Sequence, residues 1–188
     1  ILLEKKDSQW RTISLAGTME SISTSPSWCE KNIREQRYVA TYIGDSLRPL
    51  AKDLREDGPR TVRAGHLLHL RSDFTFTTAD ENVSGILEAL HPTPAVCGLT
   101  KEETRRFIID NEHCRRDYYT GFCGPLALGE ETHLFVTLRC MEVLKDGVRL
   151  FAGGGLLKDS TEEAEWRETE AKMQTMRKLI GEDKRWVL

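Results

Sequence analysis

The sequence lacks the marks of several large classes of protein. It contains no apolar stretch near the roughly 18 to 20 residues that a membrane-spanning helix requires. It has no basic segment followed by an apolar segment, so no secretion signal is visible. The formal net charge is -3 and the sequence pI is about 6.0, which argues against a surface that binds nucleic acid. We therefore expect neither nucleic acid nor a membrane as a partner.

The cysteines have no recognisable pattern of spacing. The five cysteines are odd in number and include no C-x-x-C pair, which argues against a zinc site and against a complete disulfide framework. We therefore expect reduced thiols in a cytoplasmic protein. The composition, 39% hydrophobic and 30% charged over 188 residues, is that of one soluble globular domain or of a large part of a bigger one.

Hydrophobic periodicity divides the chain into helices and strands. Turn residues around Asp57-Gly58-Pro59 predict a turn over 56–65, and Tyr and Gly residues predict another over 118–124. A polar, Ser-rich composition predicts a loop over 19–28, and two prolines predict an extended loop over 91–95. The elements do not alternate as β-α-β units, so the sequence predicts an α+β fold with a largely antiparallel sheet flanked by helices. Helices are predicted at 29–53, 81–90, 100–113 and 162–180, and strands at 1–4, 10–15, 66–78, 126–128, 133–143 and 148–151.

The most informative stretch of the sequence runs from 146 to 172. A predicted strand leads into three consecutive glycines at 153–155, where backbone without side chains suits close approach by a ligand. Ser160 and Glu163 then have the spacing of a capping box at the start of a helix. The sequence thus predicts a strand, a glycine-rich elbow and a helix in close succession.

The helix that follows the glycines carries acidic and basic side chains on one face. Glu165, Glu168 and Lys172 lie at positions i, i+3 and i+7, which brings them to the same side of a helix. A glycine floor beside two carboxylates and an ammonium suits a small anionic ligand together with a divalent metal ion. The alternative is a solvated surface helix with an ordinary Glu-Lys pair.

Four further side chains are candidates for a site, and each also has a structural interpretation. Glu35 lies in the middle of a predicted helix and is either solvated or an oxygen ligand for Mg²⁺. His69 is either a structural histidine or a hydrogen-bond donor in a pocket. Arg139, predicted inside an apolar strand, either faces solvent or is a buried clamp for a carboxylate. Tyr119 either packs in the core or presents its hydroxyl group to a ligand.

Several motifs occur in the order that one family shows. They are LAGT at 15–18, KNIREQRYV, HLRS, LHPTPAVCG at 90–98, Glu112 and Arg116 followed by YTGFCG, and FAGGGLL followed by EWRETEAK. Together they resemble the C-terminal half of the chorismate-utilising enzymes, which include the isochorismate, salicylate, anthranilate and aminodeoxychorismate synthases. The resemblance covers essentially the whole chain, and HPTPA is most similar to the isochorismate and salicylate branch.

The resemblance implies a role for each candidate residue. Glu35 and Glu168 would be the Mg²⁺ ligands, and Glu165 would lie next to the metal. Arg139 and Lys172 would bind carboxylates of chorismate above the backbone of Gly153 and Gly155. The residues implied to line the ring pocket are Gly17, Thr18, His69, Ala95 and Tyr119.

The implied activity is that of an Mg²⁺-dependent isochorismate synthase, an isomerase that adds water at C2 of chorismate and removes the C4 hydroxyl group. Menaquinone synthesis is the first expectation for its pathway and a siderophore the second. A salicylate synthase and a non-catalytic chorismate-binding module are the alternatives. Asp117, Cys97 and Gln36 replace residues that the family usually has, and these departures concern fine specificity more than the fold.

The resemblance also implies that catalytic groups are missing from this chain. In the family, the general-base lysine lies well upstream, and the general-acid glutamate precedes the strand that Ile1-Leu2-Leu3 resembles. Residues 1–188 would then be a C-terminal fragment of the chorismate-binding domain, without the catalytic acid and base. We expect negligible turnover by the fragment alone, and its oligomeric state is not predicted.

Overall fold

The computed structural model describes residues 1–20, 27–64, 67–126 and 131–180. Five α-helices are described: α1 (Glu30–Leu47), α2 (Val83–Leu90), α3 (Pro94–Cys97), α4 (Lys101–Asn111) and α5 (Glu162–Ile180). The described strands are β1 (Leu3–Lys6), β2 (Gln9–Glu20), β3 (Lys52–Ala64), β4 (Leu67–Thr77), β5 (Phe122–Cys123), β6 (Thr132–Val136), β7 (Met141–Leu144) and β8 (Gly147–Leu150). None of the described helices is long and apolar enough to cross a membrane.

The strands form two antiparallel sheets. Six strands pair in the order β3-β4-β2-β1-β6-β5, and β7 pairs with β8 in a separate hairpin. Helix α1 packs on the large sheet and α2 packs beside α1. The predicted α+β fold with a largely antiparallel sheet is therefore confirmed.

The core lies between α1, α2 and one face of the large sheet. Val39, Ile43 and Leu47 recur at helical spacing along α1 and are buried, so one stripe of the helix faces the sheet. Phe74 and Phe76 alternate with outward-facing residues along β4 and are buried in the same cluster. The pattern of apolar residues thus fixes which faces of α1 and β4 meet.

A bulge at Gly17 bends β2 where the strand reaches α1. The register between β2 and β4 shifts between Ala16 and Thr18, and Gly17 has a φ of 71°. A side chain at this position would be strained, and its Cβ would lie 3.2 Å from the Cβ of Asn32 in α1. Glycine therefore allows the strand and the helix to approach closely at this point.

The predicted turn over 56–65 is wrong, because β3 occupies Lys52–Ala64. Helix α1 ends at Leu47 and does not continue to 53, because Pro49 has no backbone N–H with which to extend the helical hydrogen bonds. The Asp57-Gly58-Pro59 motif lies within β3, where the register shifts between Asp57 and Arg60. A bulge on an edge strand tolerates proline, so these turn residues interrupt the pairing without ending the strand.

The predicted strand over 133–143 is also wrong, because it is divided into β6 and β7. The chain leaves the large sheet after Val136, and Arg139 has a φ of 49° in the break. The predicted loop over 91–95 is interrupted by α3, which begins at Pro94, since proline is compatible with the first turn of a helix.

Three further predictions differ from the structure in smaller ways. The predicted loop over 19–28 is shorter at its start, since β2 continues through Met19 and Glu20, and 21–26 lie outside the described residues. The short strand β5 falls in a stretch predicted as a turn. In the strand predicted over 126–128, Leu126 belongs to no strand, and 127–128 are outside the described part of the chain.

Candidate active site

A cavity of about 210 Å³ lies where the bulge of β2, helix α1 and the C-terminal segment meet. It is lined by side chains from β2, α1 and β4 on one side and by the glycine segment and α5 on the other. All nine residues predicted to bind substrate line it, as does Glu35: Gly17, Thr18, His69, Ala95, Tyr119, Arg139, Gly153, Gly155 and Lys172. The structure therefore brings together residues that are as much as 155 positions apart in the sequence (172 minus 17).

Glu35 on α1 and Glu168 on α5 carry negative charges that interact with each other. Burial raises the pKa of Glu35, and the negative charge of Glu168 raises it further. Glu168 in turn forms an ion pair with Lys172, one turn further along α5, with 2.7 Å between Oε1 and Nζ. A Cβ placed on Gly155 would lie 3.9 Å from Oε1 of Glu35, so the glycine segment runs directly beside this carboxylate.

Glu35 and Glu168 repel each other when both are ionised, so the pair is suited to hold a divalent cation. Mutual repulsion between Glu35 and Glu168 is relieved when a cation lies between them. Among the residues that the structure describes, no group of three or more acidic, histidine or cysteine side chains is arranged to hold a metal. Mg²⁺ is usually bound by one or two carboxylates and completes its coordination with water and substrate oxygens. The donor set therefore fits Mg²⁺ that is bound together with an anionic ligand.

Glu165 is held differently from Glu168. It is buried; Lys31 donates a hydrogen bond to its Oε1 at 2.7 Å, and the Ser160 hydroxyl donates another. Burial alone would raise the pKa of Glu165, but the hydrogen bonds from Lys31 and Ser160 lower it. Ser160 also accepts from the backbone N–H of Leu157, and α5 begins at Glu162, so the predicted capping box of Ser160 with Glu163 is wrong.

Arg139 projects into the cavity beside His69. The Nδ1 atom of His69 lies 3.0 Å from the carbonyl oxygen of Gly17, which can only accept, so Nδ1 carries the proton. Burial lowers the pKa of His69, which keeps the ring neutral at pH 7, and its Nε2 atom is then free to accept from Arg139 at 3.5 Å. His69 is thus a satisfied histidine that also orients the arginine.

Arg139 is a half-buried cation without a carboxylate partner in the described part of the chain. Burial lowers its pKa, while the more distant charge of Glu168 raises it. A guanidinium group removed from water normally pairs with an anion, and it matches a carboxylate with two parallel hydrogen bonds. This arginine lies in a break between strands, with a φ of 49°, and is suited to bind an anion that the described residues do not provide.

Tyr119 packs so closely on Gly153 that a side chain at position 153 would collide with it. A Cβ placed on Gly153 would lie 2.8 Å from the hydroxyl oxygen of Tyr119. The ring of Tyr119 stacks on Phe151, with 5.3 Å between centroids, and burial raises the pKa of its hydroxyl group. The carbonyl oxygen of Gly153 accepts from Lys172 at 3.0 Å, so the glycine segment joins the tyrosine to α5.

Two residues that support the site were not predicted to do so. Lys31 is part of the KNIREQRYV motif and had no predicted role, yet it donates to Glu165, 134 positions away in the sequence. Arg116 donates to Glu112 at 2.6 Å and to the carbonyl oxygen of Val96 at 2.9 Å, which ties the segment containing Ala95 to the turn before Tyr119. The spacing of Glu112 and Arg116 was a signal in the sequence, but only its tertiary contact with Val96 gives it this role.

This chain is similar to a known family of proteins and to several of its members. The family model described as "Chorismate binding enzyme" matches residues 1–181. The isochorismate synthase DhbC of Bacillus subtilis is 33% identical over 156 residues, which cover 81% of this chain and 39% of that protein. The chain spans about two fifths of the length of the relatives it matches.

Two solved structures have the same fold. MenF, the menaquinone-specific isochorismate synthase from Escherichia coli, superposes with a TM-score of 0.84 at 30% identity, over 96% of this chain and 44% of that chain. A putative 2,3-dihydroxybenzoate-specific isochorismate synthase, DhbC from Bacillus anthracis, gives a TM-score of 0.86 at 32% identity, over 96% and 52% of the two chains. The family match, the sequence identity and the shared fold show that this chain belongs to the chorismate-binding enzymes.

Proposed function

We propose that this chain forms the substrate-binding and metal-binding part of an isochorismate synthase, which interconverts chorismate and isochorismate with Mg²⁺. The observation that carries the proposal is Arg139, a half-buried guanidinium in the cavity with no carboxylate partner in the described residues. The isochorismate synthases among its relatives support the choice of reaction. Both menaquinone-specific and siderophore-specific relatives match, so either pathway is compatible with the chain.

The cations of the cavity suit a ligand with two carboxylates, as chorismate has. Arg139 would bind one carboxylate with its planar guanidinium group, and Lys172 would bind the other with a single ammonium. Gly153 and Gly155 leave the floor free of side chains, so the ligand can reach the backbone. His69 is neutral and would hold Arg139 in place without adding charge.

Glu35 and Glu168 would hold Mg²⁺ at the end of the cavity near α5, with Glu165 next to it. When bound, the ion would neutralise one carboxylate of the substrate and fix its orientation. Lys172 now pairs with Glu168, so it would exchange this partner for a carboxylate of chorismate as Glu168 turns to the metal. Lys31 would keep Glu165 ionised throughout, since it already donates to that carboxylate.

The reaction adds water to C2 of the ring, and the C4 hydroxyl leaves as water after it is protonated. It therefore needs a base to take a proton from the attacking water and an acid to protonate the leaving group. The resemblance assigns both groups to a part of the family's sequence that this chain does not match. The role of this chain is to bind and orient the substrate, and we expect negligible turnover from it alone.

Chorismate binding tests the proposal directly. The affinity of the chain for chorismate in the presence of MgCl₂ is measured by isothermal titration calorimetry for Arg139→Gln and for Arg149→Gln. We expect Arg139→Gln to lose about tenfold or more in affinity, because a hydrogen bond between charged groups contributes about 1.5 to 3 kcal/mol. Arg149 is an exposed arginine of the β7–β8 hairpin that pairs with Glu142, so it is the matched control and should bind normally. Equal losses in both variants would contradict the assignment.

The identity of the product requires the complete catalytic machinery. A protein that contains this chain together with the family's acid and base should form isochorismate in a coupled assay. Detection of salicylate would instead identify a salicylate synthase, and chorismate binding without any conversion would identify a binding module. Normal turnover by residues 1–188 alone would contradict the expected absence of the acid and base.

A further inference from the structure

A cluster of three buried polar side chains lies between helix α1 and the large sheet. Its members, Gln36 of α1, Ser14 of β2 and Ser72 of β4, are all fully buried. The side-chain amide of Gln36 donates hydrogen bonds to the Ser14 hydroxyl at 3.0 Å and to the Ser72 hydroxyl at 2.9 Å. Ser14 and Ser72 are cross-strand partners, so one glutamine connects the helix to two adjacent strands. We refer to these three residues as the Gln36 cluster.

Gln36 lies on the face of α1 that otherwise buries apolar residues. Val39, Ala40 and Ile43 follow it by three, four and seven positions, and all three are buried. The Oε1 atom of Gln36 has no hydrogen-bond partner among the residues that the structure describes. A buried polar atom without a partner costs free energy, so stability alone would favour an apolar residue at this position.

The hydrogen bonds of the cluster restrict the position of α1 in a way that apolar contacts do not. Burial of apolar surface is non-directional, so an apolar stripe tolerates small changes in the height and rotation of a helix. A hydrogen bond requires a distance of about 3 Å and a favourable angle, and two such bonds to neighbouring strands fix both height and rotation. The cluster is therefore suited to set the register of α1 on the sheet.

The cluster joins the three elements that carry one wall of the cavity that contains Arg139. Each of its members is within three positions of a residue that lines this cavity; the three lining residues are Glu35, Gly17 and His69. Glu35 directly precedes Gln36 and forms a hydrogen bond with the backbone of Gly17. This contact between α1 and β2 depends on the height of the helix over the strand, which the Gln36 cluster fixes.

The carboxylate of Glu35 requires a restraint to stay in the cavity. Burial and the negative charge of Glu168 both disfavour its ionised form, so both act to move it away. Mg²⁺ demands nearly ideal octahedral geometry from its ligands, so a small displacement of a carboxylate weakens its binding. A helix that could slide on an apolar sheet would not hold Glu35 accurately enough.

We propose that Gln36 is a positioning residue: through Ser14 and Ser72, it holds Glu35 at the place in the cavity where a carboxylate can bind Mg²⁺. Gln36 does not line the cavity itself, so it acts through Glu35 and not by contact with a ligand. The part of Glu35 as a metal ligand rests on the proposed function, whereas the effect of the cluster on the position of Glu35 does not.

An apolar version of the cluster tests the proposal. The triple variant Ser14→Ala, Gln36→Met, Ser72→Ala removes all the polar groups together and leaves none without a partner. The midpoint of its urea unfolding should therefore stay within about 1 M of the wild-type value. A crystal structure of this variant without ligand should show the Glu35 carboxylate displaced by about 1 Å or more relative to Gly17.

Chorismate binding gives a second measurement of the same variant. Isothermal titration calorimetry compares the affinity for chorismate in MgCl₂ and in EDTA. In the wild type, MgCl₂ should raise the affinity about fivefold or more, and in the triple variant the gain should fall to about twofold or less. The affinity in EDTA should be the same for both proteins, since Arg139 and Lys172 are unchanged.

The matched control is Thr12→Val. Thr12 is also a buried polar residue of β2, two positions before Ser14, and its hydroxyl donates to the carbonyl oxygen of Leu2 at 2.7 Å. The substitution removes a buried hydrogen bond from the same strand, but one that does not involve α1. It should lower the urea midpoint, yet leave the position of Glu35 and the effect of MgCl₂ on chorismate affinity as in the wild type.

Three outcomes would overturn the proposal. They are an unchanged position of Glu35 in the triple variant, an equal displacement of Glu35 by Thr12→Val, and a triple variant that fails to fold or loses more than about 1 M in its urea midpoint. In the last case the cluster would hold the whole fold together and not the position of one side chain. A wild-type chain that does not bind chorismate would refute the proposed function, and the crystal structures would still decide whether the cluster positions Glu35.

Discussion

Residues 1–90 bury mainly apolar side chains, whereas the long helix of the segment 139–180 buries a carboxylate. The first region contains nearly the whole apolar core, with Trp10 and Phe74 among its largest fully buried residues. The second contributes no residue to that core, and the buried side chain of its long helix is the carboxylate of Glu165. Stability is concentrated in one region and the groups suited to chemistry in the other, with the Arg139 cavity at their boundary.

The two regions also differ in whether a charge removed from water has a partner of opposite sign. In the first, Asp73 is buried and receives hydrogen bonds from Arg11, Arg60 and Arg71, so its charge is fully compensated. In the second, Arg139 is half-buried and has no carboxylate partner among the described residues. A compensated charge needs no further partner, whereas an uncompensated one is suited to bind a ligand of opposite charge. The difference separates a structural ion cluster from the proposed binding site.

The largest effect expected from this comparison is on the free energy of unfolding. Trp10→Ala should cost about 3 to 5 kcal/mol, because it leaves a cavity in the core. Trp166→Ala should change the free energy of unfolding of the chain by no more than about 0.5 kcal/mol, since the side chain is 65% exposed. Urea unfolding of both variants measures the difference. Similar losses would show that the second region has a core of its own.

Asp73→Asn should have the next largest effect, and the effect should depend on pH. Burial would raise the pKa of Asp73, but hydrogen bonds from Arg71 and Arg11 outweigh it and lower the pKa to about 2, from an ordinary 3.8. The ionised carboxylate therefore contributes about 2 kcal/mol to stability above pH 4.

That contribution should be lost as the pH falls from about 4 toward about 2, because the native state then takes up the proton that the unfolded state binds first. Urea unfolding at several pH values should show wild type and variant converging over this range. A constant difference between the two proteins would mean that the arginines do not act through the charge of Asp73.

Glu35→Gln should have a smaller effect and one of opposite sign. Burial and the charge of Glu168 raise the pKa of Glu35, so the ionised form destabilises the fold at pH 7. The variant should therefore unfold at a higher temperature than the wild type at pH 7, and the difference should vanish as the pH falls toward the ordinary value of 4.5.

The response to magnesium tests whether Glu35 is a metal ligand. If Glu35 is a metal ligand, MgCl₂ should raise the unfolding temperature of the wild type, and EDTA should reverse the increase. Glu35→Gln should respond much less to either addition. An equal response of both proteins to MgCl₂ would remove Glu35 from the proposed metal site.

Elements with a strong hydrophobic period were predictable, and those without one were not. The spacing of Val39, Ile43 and Leu47 predicted α1, and the order of strands and helices predicted the fold class. Strand β3 was missed because it is an edge strand with mostly exposed charged residues and a bulge at Gly58-Pro59, so neither alternation nor turn chemistry revealed it. The break around Arg139 was missed because the sequence remains apolar through a change of sheet.

The candidate site was predictable only through the resemblance to a family. Spacing along one helix placed Glu165, Glu168 and Lys172 together, but gave no reason to prefer a site over a solvated face. The resemblance to the family supplied Glu35, His69 and Arg139 as members of the same site. Their roles in binding chorismate and Mg²⁺ remain predictions, while their convergence on one cavity is a property of the fold.

By itself, the sequence determined the local features of this protein: the apolar stripe of α1, the flexible backbone of 153–155, and the charged face of α5. These depend on neighbours within a few residues, where helical and strand periodicity act. Only the tertiary structure decided that Glu165 pairs with Lys31 and that Arg139 has no carboxylate partner within the described chain. Such pairings depend on which distant side chains share a desolvated space. That choice is fixed by the packing of α1 on the sheet and by the contacts of α5 with α1 and the glycine segment.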